Sequence, residues 1–268
     1  MKFSVFYFSG TGNTKWAVNE FNNSVNKRGH KCSIYSIEIE ITNLKEIVNN
    51  ADIIGFAFPI YGANIPSVVK DFINKFKSNL DSTWKKQCFI ITTAGYIDAY
   101  GPCTARKILK PNGFKLVGYI NIKMSNNIST PKIRADFLTS IKMKKRMSKG
   151  KDEIERMIYS IVHQKTYIRN IGLYLLPGVF IRKVSESEKK NNYQTLSVDK
   201  EKCSRCMTCV NNCPTKSIIF SSEEFRFLPS CTACMRCYNF CPKYAICHHG
   251  KYADPNMYRR YMGPQTIL

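Results

Sequence analysis

The sequence has few acidic residues, few tryptophans and no long hydrophobic run. Its 268 residues include 19 Asp and Glu against 41 Lys and Arg, with only 2 Trp and 4 His. The longest apolar-rich stretch, from Ile171 to Ile181, has about half of the roughly 20 residues that a transmembrane helix needs, and Pro177 interrupts it. The apolar run from Phe3 to Phe8 is too short for a secretory signal peptide. We therefore expect a soluble, cytoplasmic protein.

The shortage of acidic residues leaves a formal net charge of +22. A charge of this size acts through long-range fields and attracts acidic partners, and it raises nucleic acid or an anionic membrane as candidates. No recognisable nucleic-acid-binding motif accompanies the charge, so we do not expect nucleic acid as a partner.

Cysteine is abundant in this chain, which has 12, and eight of them lie in the segment from Cys203 to Cys241. A reducing cytosol disfavours disulfides, which favours metal ligation. The eight form an internal repeat, CSRCMTCVNNCP and CTACMRCYNFCP, with the spacing C-x2-C-x2-C-x3-C-P in both copies. Zinc also binds C-x2-C pairs, but it usually joins two separated pairs. The spacing therefore predicts iron–sulfur clusters, with two zinc sites as the alternative.

This repeat resembles the bacterial two-cluster ferredoxins over Val198 to His248. In that family the fourth Cys of each run ligates the other cluster. The resemblance implies two [4Fe–4S] clusters and one-electron transfer at low potential. The implied ligands are Cys203, Cys206, Cys209 and Cys241 for cluster 1, and Cys231, Cys234, Cys237 and Cys213 for cluster 2.

The first half of the chain alternates short apolar runs with amphipathic ones. This alternation predicts a small α/β domain with a doubly wound, five-stranded parallel sheet. The predicted helices are Lys15–Lys27, Leu44–Asn50, Ser67–Ser78 and Pro102–Leu109, and the predicted strands are Lys2–Phe8, Cys32–Ile37, Asp52–Phe58, Gln87–Thr93 and Lys115–Ile122.

A glycine-rich turn follows the first predicted strand and leads into a helix, an arrangement that binds phosphate through backbone N–H groups. It lacks the G-K-[ST] of a Walker A loop and the third glycine of a dinucleotide fingerprint. A dinucleotide remains the alternative ligand, since Glu38 could bind its ribose. Three hydroxyls in the turn favour a terminal monophosphate instead. The predicted phosphate ligands are Ser9, Gly10, Thr11, Gly12, Asn13 and Thr14.

This turn and its surroundings resemble the flavodoxins over Met1 to Ile122. The resemblance implies FMN, bound also by loops after the third and fourth strands, with Tyr61 stacking on the flavin and Gly62 allowing close backbone approach. The flavin-binding residues implied in these loops are Pro59, Ile60, Tyr61, Gly62, Asn64, Thr93, Ala94, Gly95, Tyr96, Tyr100 and Gly101. Cys103 follows closely and could be a redox thiol.

The predicted domains are a flavodoxin-like domain over 1–131, a basic helical connector over 132–196 and a small α+β two-cluster ferredoxin domain over 197–268. Apolar and basic residues alternate in the connector between Ile168 and Lys183. This stretch either packs between the domains or contacts a membrane surface, where a quinone would be accessible.

The whole chain resembles the fused flavodoxin–ferredoxin proteins of anaerobic bacteria. That resemblance implies FMN, two [4Fe–4S] clusters and electron transfer between them, with an acidic redox protein as the simplest partner for so basic a chain. An FMN-dependent reductase of a small organic substrate or a quinone is the alternative. A nucleic-acid-binding protein with structural clusters is a remote third.

Overall fold

The computed structural model describes residues 1–78, 86–95, 105–107, 109, 113–133, 137–169 and 191–267. Its first domain is built on a parallel sheet in the order β2-β1-β3-β4-β5-β6. This strand order, in which the chain steps outward from β1 in one direction and then the other, is that of the flavodoxin-like fold. The strands are β1 (Lys2–Tyr7), β2 (Lys31–Ser36), β3 (Ile53–Pro59), β4 (Gln87–Ala94), β5 (Lys115–Lys123) and β6 (Tyr167–Ile168).

Helices cover both faces of this sheet, as its near-continuous apolar strands require. On one face α2 (Leu44–Asn50) and α3 (Ser67–Ser78) bury Val48, Val69 and Phe76. On the other face α1 (Asn13–Lys27) packs Phe21 against Phe89, with ring centroids 4.6 Å apart. The five predicted strands and the first three predicted helices are confirmed to within two residues at each end. The predicted helix Pro102–Leu109 falls largely outside the described residues.

A long basic helix, α4 (Ser140–Val162), belongs to the sheet domain rather than to a connector. Met143, Ile154, Met157 and Ile158 are fully buried against α1 and β5. The chain then adds β6 beside β5, which makes six strands where five were predicted. The lysines on the exposed face of α4 dominate its composition and hid this apolar stripe in the sequence. The apolar stretch of the predicted connector, Ile171–Ile181, lies outside the described residues.

The second domain consists of two short antiparallel pairs and two short helices. Strand β7 (Leu196–Val198) pairs with β10 (Ile246–His248), and β8 (Ile218–Ser221) pairs with β9 (Glu224–Phe227). Helices α5 (Thr208–Asn211) and α6 (Arg236–Phe240) each begin inside a cysteine run. Two single-turn 3₁₀ helices, Asn192–Thr195 and Pro264–Thr266, flank the domain.

The two cysteine runs fold alike, residue for residue. Left-handed backbone recurs at three pairs of positions related by the repeat, which are Arg205 and Ala233, Met207 and Met235, and Lys216 and Tyr244. Left-handed conformation is uncommon outside glycine, so its recurrence shows that each run curls in the same way. Within the described residues, no helix is both long and apolar enough to cross a membrane.

Candidate functional site

The predicted phosphate loop joins the carboxyl end of β1 to the amino end of α1. Gly12 caps the helix with φ of 108°, in the left-handed region that favours glycine. The Ser9 hydroxyl accepts hydrogen bonds from the backbone N–H groups of Gly12 (3.2 Å) and Lys15 (3.1 Å). These bonds fix the turn so that it enters α1 at the positive end of the helix dipole, where an anion is stabilised.

The second domain lies directly against this loop. A Cβ on Gly12 would sit 2.9 Å from the Cα of Gly263, so the C-terminal segment approaches the loop more closely than any larger residue would allow. A Cβ on Gly10 would overlap the Tyr61 hydroxyl and would lie 3.3 Å from the Cβ of Cys234. Gly12 is therefore required by this packing as well as by the turn, and Gly10 leaves room for the Tyr61 hydroxyl.

A cavity of about 740 Å³ runs from the phosphate loop along the edge of the sheet. Its size lies in the range of small-molecule and cofactor sites. The first domain contributes Ser9, Gly10, Thr11, Asn13, Thr14, Pro59, Ile60, Tyr61, Gly62, Thr93, Ala94, Gly95, Ser125, Asn126, Asn127, Ile128, Lys132 and Ile133. The second domain and the residues just before it contribute Asn191, Asn192, Thr195, Leu196, Ala233, Met235, His248 and His249.

Most of the predicted flavin-binding residues meet in this cavity. Thr14 turns its hydroxyl to Thr93, 2.8 Å away, so these two side chains brace the loop against β4. Gly12 and Asn64 do not line the cavity; Asn64 closes a tight turn with Tyr61, with backbone hydrogen bonds of 2.9 and 3.0 Å. The predicted contacts Tyr96, Tyr100 and Gly101, and with them Cys103, lie outside the described residues.

Tyr61 stands between the phosphate loop and the second cysteine run. Its ring packs against the apolar core beside β3, and its hydroxyl lies over Gly10. Burial raises the pKa of Tyr61 well above its usual value, and the neighbouring Cys234 adds to that shift. The phenol is therefore neutral at physiological pH. The residue predicted to stack on the flavin thus lies beside both the cavity and a predicted cluster ligand.

The eight repeat cysteines fall into two groups, each around its own small cavity. Cys203, Cys206, Cys209 and Cys241 line one, and Cys213, Cys231, Cys234 and Cys237 line the other. Each group takes three thiols from one run and the fourth from the other run, which is the grouping that the ferredoxin resemblance implies. The described residues contain no group of three or more His, Cys, Asp or Glu placed to hold a single metal ion.

The surroundings of the thiols suit an iron–sulfur cluster. Backbone N–H groups donate to sulfur at repeat-related positions: Arg205 to Cys203 and Ala233 to Cys231, both at 3.4 Å, and Ser217 to Cys213 and Ala245 to Cys241, both at 3.2 Å. Hydrogen bonds of this kind stabilise ligated thiolates and tune cluster potentials. The buried Thr232 hydroxyl, which lines the second cavity, has no hydrogen-bond partner among the described residues, so it can donate to a cluster there.

Burial sets the charge state of these thiols in the absence of a cluster. It raises the pKa of Cys209 to about 11 and that of Cys234 to about 12. Cys206 is exposed, and its hydrogen bond with Thr208 lowers its pKa. Cluster assembly must therefore displace protons from the buried thiols. The exposed thiol, Cys206, belongs to the first group, whereas the second group contains the buried Cys213 and Cys234.

Sequence reasoning missed two histidines and a lysine of the cavity. His248 is buried and hydrogen-bonds to Thr130 at 3.1 Å, joining β10 to the segment that follows β5. Burial, with the nearby His249 and Lys132, lowers the pKa of His248 to about 4. The two histidines lie beyond the last cluster ligand in the sequence, and this position gave no sign of a role in the cavity. Only the pairing of β10 with β7 returns them to the flavodoxin-like domain.

Glu38, the sequence-based candidate for binding a ribose, is instead paired with Arg236 of the second domain. Both carboxylate oxygens accept hydrogen bonds from the guanidinium at 2.7 Å. The pair is largely buried, with 11% and 22% of the two side chains exposed. The acidic group at the end of β2 therefore serves the contact between the domains.

The comparisons with known proteins agree with this division of the chain. The family described as 4Fe-4S dicluster domain matches residues 195–242. No curated protein matches the chain.

Solved structures resemble the first domain at low identity. A flavone reductase is 11% identical with a TM-score of 0.47 over 62% of this chain and 66% of its own. The rubredoxin oxygen:oxidoreductase of Desulfovibrio gigas is 13% identical with a TM-score of 0.44, over 60% of this chain and 36% of its own. Megasphaera elsdenii flavodoxin is 20% identical with a TM-score of 0.39, over 57% of this chain and 98% of its own.

This chain therefore spans two thirds or less of the first two of these proteins. At such TM-scores the fold of the first domain rests on its sheet order and not on these likenesses. The chain joins a flavodoxin-like α/β domain to a C-terminal 4Fe-4S dicluster domain.

Proposed function

We propose that this protein binds FMN in the cavity between its domains and two [4Fe–4S] clusters in its cysteine groups, and that it transfers electrons between them. One observation carries the proposal: Ala233 and Met235, the neighbours of Cys234, form part of the cavity wall that faces the phosphate loop. The site predicted for the flavin and the site predicted for cluster 2 are thus separated by a single stretch of backbone.

The cysteine groups give electrons a route to the surface. When bound, the clusters exchange single electrons and FMN accepts one or two. Together these cofactors could therefore connect one-electron transfer with two-electron transfer. The thiols of Cys213, Cys231, Cys234 and Cys237 would hold the cluster beside the flavin. The group that includes the exposed Cys206 would hold the outer cluster. The order is flavin, cluster 2, cluster 1 and solvent, with cluster 1 as the point of contact for a partner protein.

An acidic redox protein is the partner we propose. The charges around cluster 1 are largely paired, as in Lys200 with Glu224 and Arg205 with Glu223. Attraction would therefore come from the charge of the whole chain, +22 before cofactors are counted, rather than from a local basic patch. Steering of that kind raises the association rate and weakens as salt is added.

The test is cofactor analysis followed by stepwise reduction. Protein purified under anaerobic conditions should contain about eight iron and eight sulfide per chain, together with one FMN. Reduction by a one-electron donor should bleach the cluster absorbance and the flavin absorbance in sequence within one molecule. Zinc in place of iron, or a protein without flavin, would refute the proposal.

A reductase of a small organic substrate is the second candidate, and the extent of the cavity favours it. Beyond the phosphate loop the cavity continues to Lys132, His248 and His249, which could bind an acceptor. Anaerobic oxidation of the reduced protein by a panel of quinones and nitro compounds would distinguish the two functions. Turnover faster than with acidic redox proteins would favour the reductase.

A further inference from the structure

Arg236 lies between the two predicted cofactor sites. It directly precedes Cys237 and begins α6, and its side chain reaches across the domain boundary to the phosphate loop. There it donates to the backbone carbonyl of Ser9 at 2.6 Å and to that of Gly10 at 2.8 Å. It also donates to the carbonyl of Asn212, next to Cys213, at 3.0 Å. One side chain therefore touches the phosphate loop and the neighbours of two ligands of cluster 2.

These contacts fix the orientation of the phosphate loop. In a trans peptide the N–H points opposite to the carbonyl. Because Arg236 holds the carbonyls of Ser9 and Gly10, the N–H groups of Gly10 and Thr11 must point away from it. Those two N–H groups belong to a loop that lines the cavity, and N–H groups are what such loops use to bind phosphate.

The ion pair with Glu38 holds the guanidinium in place. A bidentate arginine–carboxylate pair is strong and directional, and losing one partner of a buried pair is costly. Glu38 follows β2, so the pair links the edge of the sheet to the loop of cluster 2. The repeat-related position in the first cysteine run is Thr208, which shows that cluster ligation itself does not require an arginine here.

We propose that Arg236 couples the FMN site to cluster 2, so that each cofactor binds more tightly when the other is present. The inference rests on the proposed cofactors. A formed cluster fixes the backbone around Cys213 and Cys237, this fixes Arg236, and Arg236 fixes the N–H groups that bind the phosphate. Coupling between sites is reciprocal and commonly amounts to about 5- to 150-fold in affinity.

The test measures FMN affinity with and without clusters. Full-length protein is prepared anaerobically, its iron and flavin are counted, and the FMN dissociation constant is measured by flavin fluorescence before and after a chelator removes the clusters. We expect cluster removal to weaken FMN binding by about tenfold or more in the native protein. Unchanged affinity would overturn the proposal.

Substitutions locate the coupling in Arg236. R236Q with full iron content should bind FMN about tenfold more weakly than the native protein, and cluster removal should then change its affinity less than about threefold. R236K, which keeps the charge, should fall between. R205Q is the matched control, because Arg205 also precedes a cluster ligand but pairs with the exposed Glu223. A merely structural role would weaken binding equally with and without clusters, whereas coupling changes the ratio.

A second variant covers the case in which R236Q loses iron. Glu38 lies in the first domain, and among the described residues its carboxylate pairs with Arg236 and not with a cysteine of cluster 2. E38Q with full iron should bind FMN about fivefold more weakly, and native affinity in E38Q would contradict the proposal. By reciprocity, FMN should raise the chelator concentration that removes one of the two clusters at equilibrium from the native protein but not from R236Q.

The outcomes separate this inference from the proposed function. A native protein that lacks either FMN or iron refutes both. A native protein that contains all three cofactors but shows independent affinities refutes only the coupling.

Discussion

The two domains are held together by different forces. The first buries a continuous apolar core on both faces of its sheet, with Phe3, Phe6, Phe21 and Phe89 almost completely inaccessible to solvent. The core of the second consists of Leu196, Met235, Tyr238, Ile246 and Ala253, and partly buried cysteines pack around it. Apolar burial can stabilise the first domain alone, whereas so small a core requires metal ligation.

This difference bears on the cavity that the domains share. One wall is supplied by the sheet with its large apolar core, and the other by the small domain that holds the two thiol groups. Loading of the second domain would then act on the FMN site through the contacts of Arg236 with the phosphate loop. Four experiments can break or sharpen that contrast.

The largest expected effect follows from removing a ligand of cluster 2. Cys237→Ala should reduce iron from about eight to about four per chain and leave residues 195–267 sensitive to protease, while the sheet domain stays resistant. Iron analysis and mass spectrometry of the fragments measure both effects. Cys247→Ala is the matched control, since Cys247 is buried in the same domain but belongs to neither thiol group. Full iron in Cys237→Ala, or unfolding of both domains, would contradict the contrast.

A core truncation tests the other domain. Phe89 is completely buried and stacks on Phe21, so Phe89→Ala should lower the free energy of unfolding by about 3–5 kcal/mol. Denaturant titration under anaerobic conditions, followed separately by flavin fluorescence and cluster absorbance, measures it. The flavin signal should be lost at lower denaturant in this variant. Ile39→Ala, at a side chain that is 71% exposed, should leave both transitions unchanged.

The sequence predicted the sheet well because its central strands are buried on both faces. Continuous apolar runs such as Ile53–Pro59 differ sharply from the helices around them. Strand β6 has only two residues, too few for any periodic pattern. Helix α4 was assigned to a connector because its many exposed basic residues masked the buried residues that carry the packing signal.

The site was less predictable where it depends on both domains. The phosphate loop and the cysteine groups are local motifs that can be recognised from their residue spacing. Arg236 and His248 acquire their roles only when distant segments meet, since Arg236 and Glu38 are 198 positions apart in the sequence. Comparison of the two repeats would have pointed to Arg236, since Thr208 occupies the equivalent position in the first run and cluster ligation there does not use an arginine.

The contact between Gly12 and Gly263 offers a smaller perturbation of the shared boundary. Gly12→Ala combines a left-handed φ of 108° with a Cβ only 2.9 Å from the Cα of Gly263, so we expect a loss of about 1–3 kcal/mol in stability and weaker FMN binding. Gly29→Ala is the control, because Gly29 is also left-handed but has open space around it. Thermal unfolding and FMN titration measure the two variants. Equal FMN affinity in both would show that the close approach is not needed for binding.

The smallest expected effect concerns pH. The pKa of His248 is lowered to about 4 by burial, with contributions from His249 and Lys132, whereas an unfolded histidine titrates near 6.5. Between these values the unfolded state binds the proton and the folded state does not, so stability is complete above about pH 6.5 and falls as the pH drops toward 4. Lowering the pH from 7.5 to 5.5 should therefore reduce the free energy of unfolding by about 1 kcal/mol through this group. Denaturant titrations at pH 7.5 and 5.5 measure this change in stability for the native protein, for His248→Gln and for the exposed control His163→Gln. If stability falls with pH in His248→Gln as steeply as in the native protein, the buried imidazole is not responsible. Because His248 bonds to Thr130 across the domain boundary, a confirmed slope would assign this acid sensitivity to a residue of the contact between the domains.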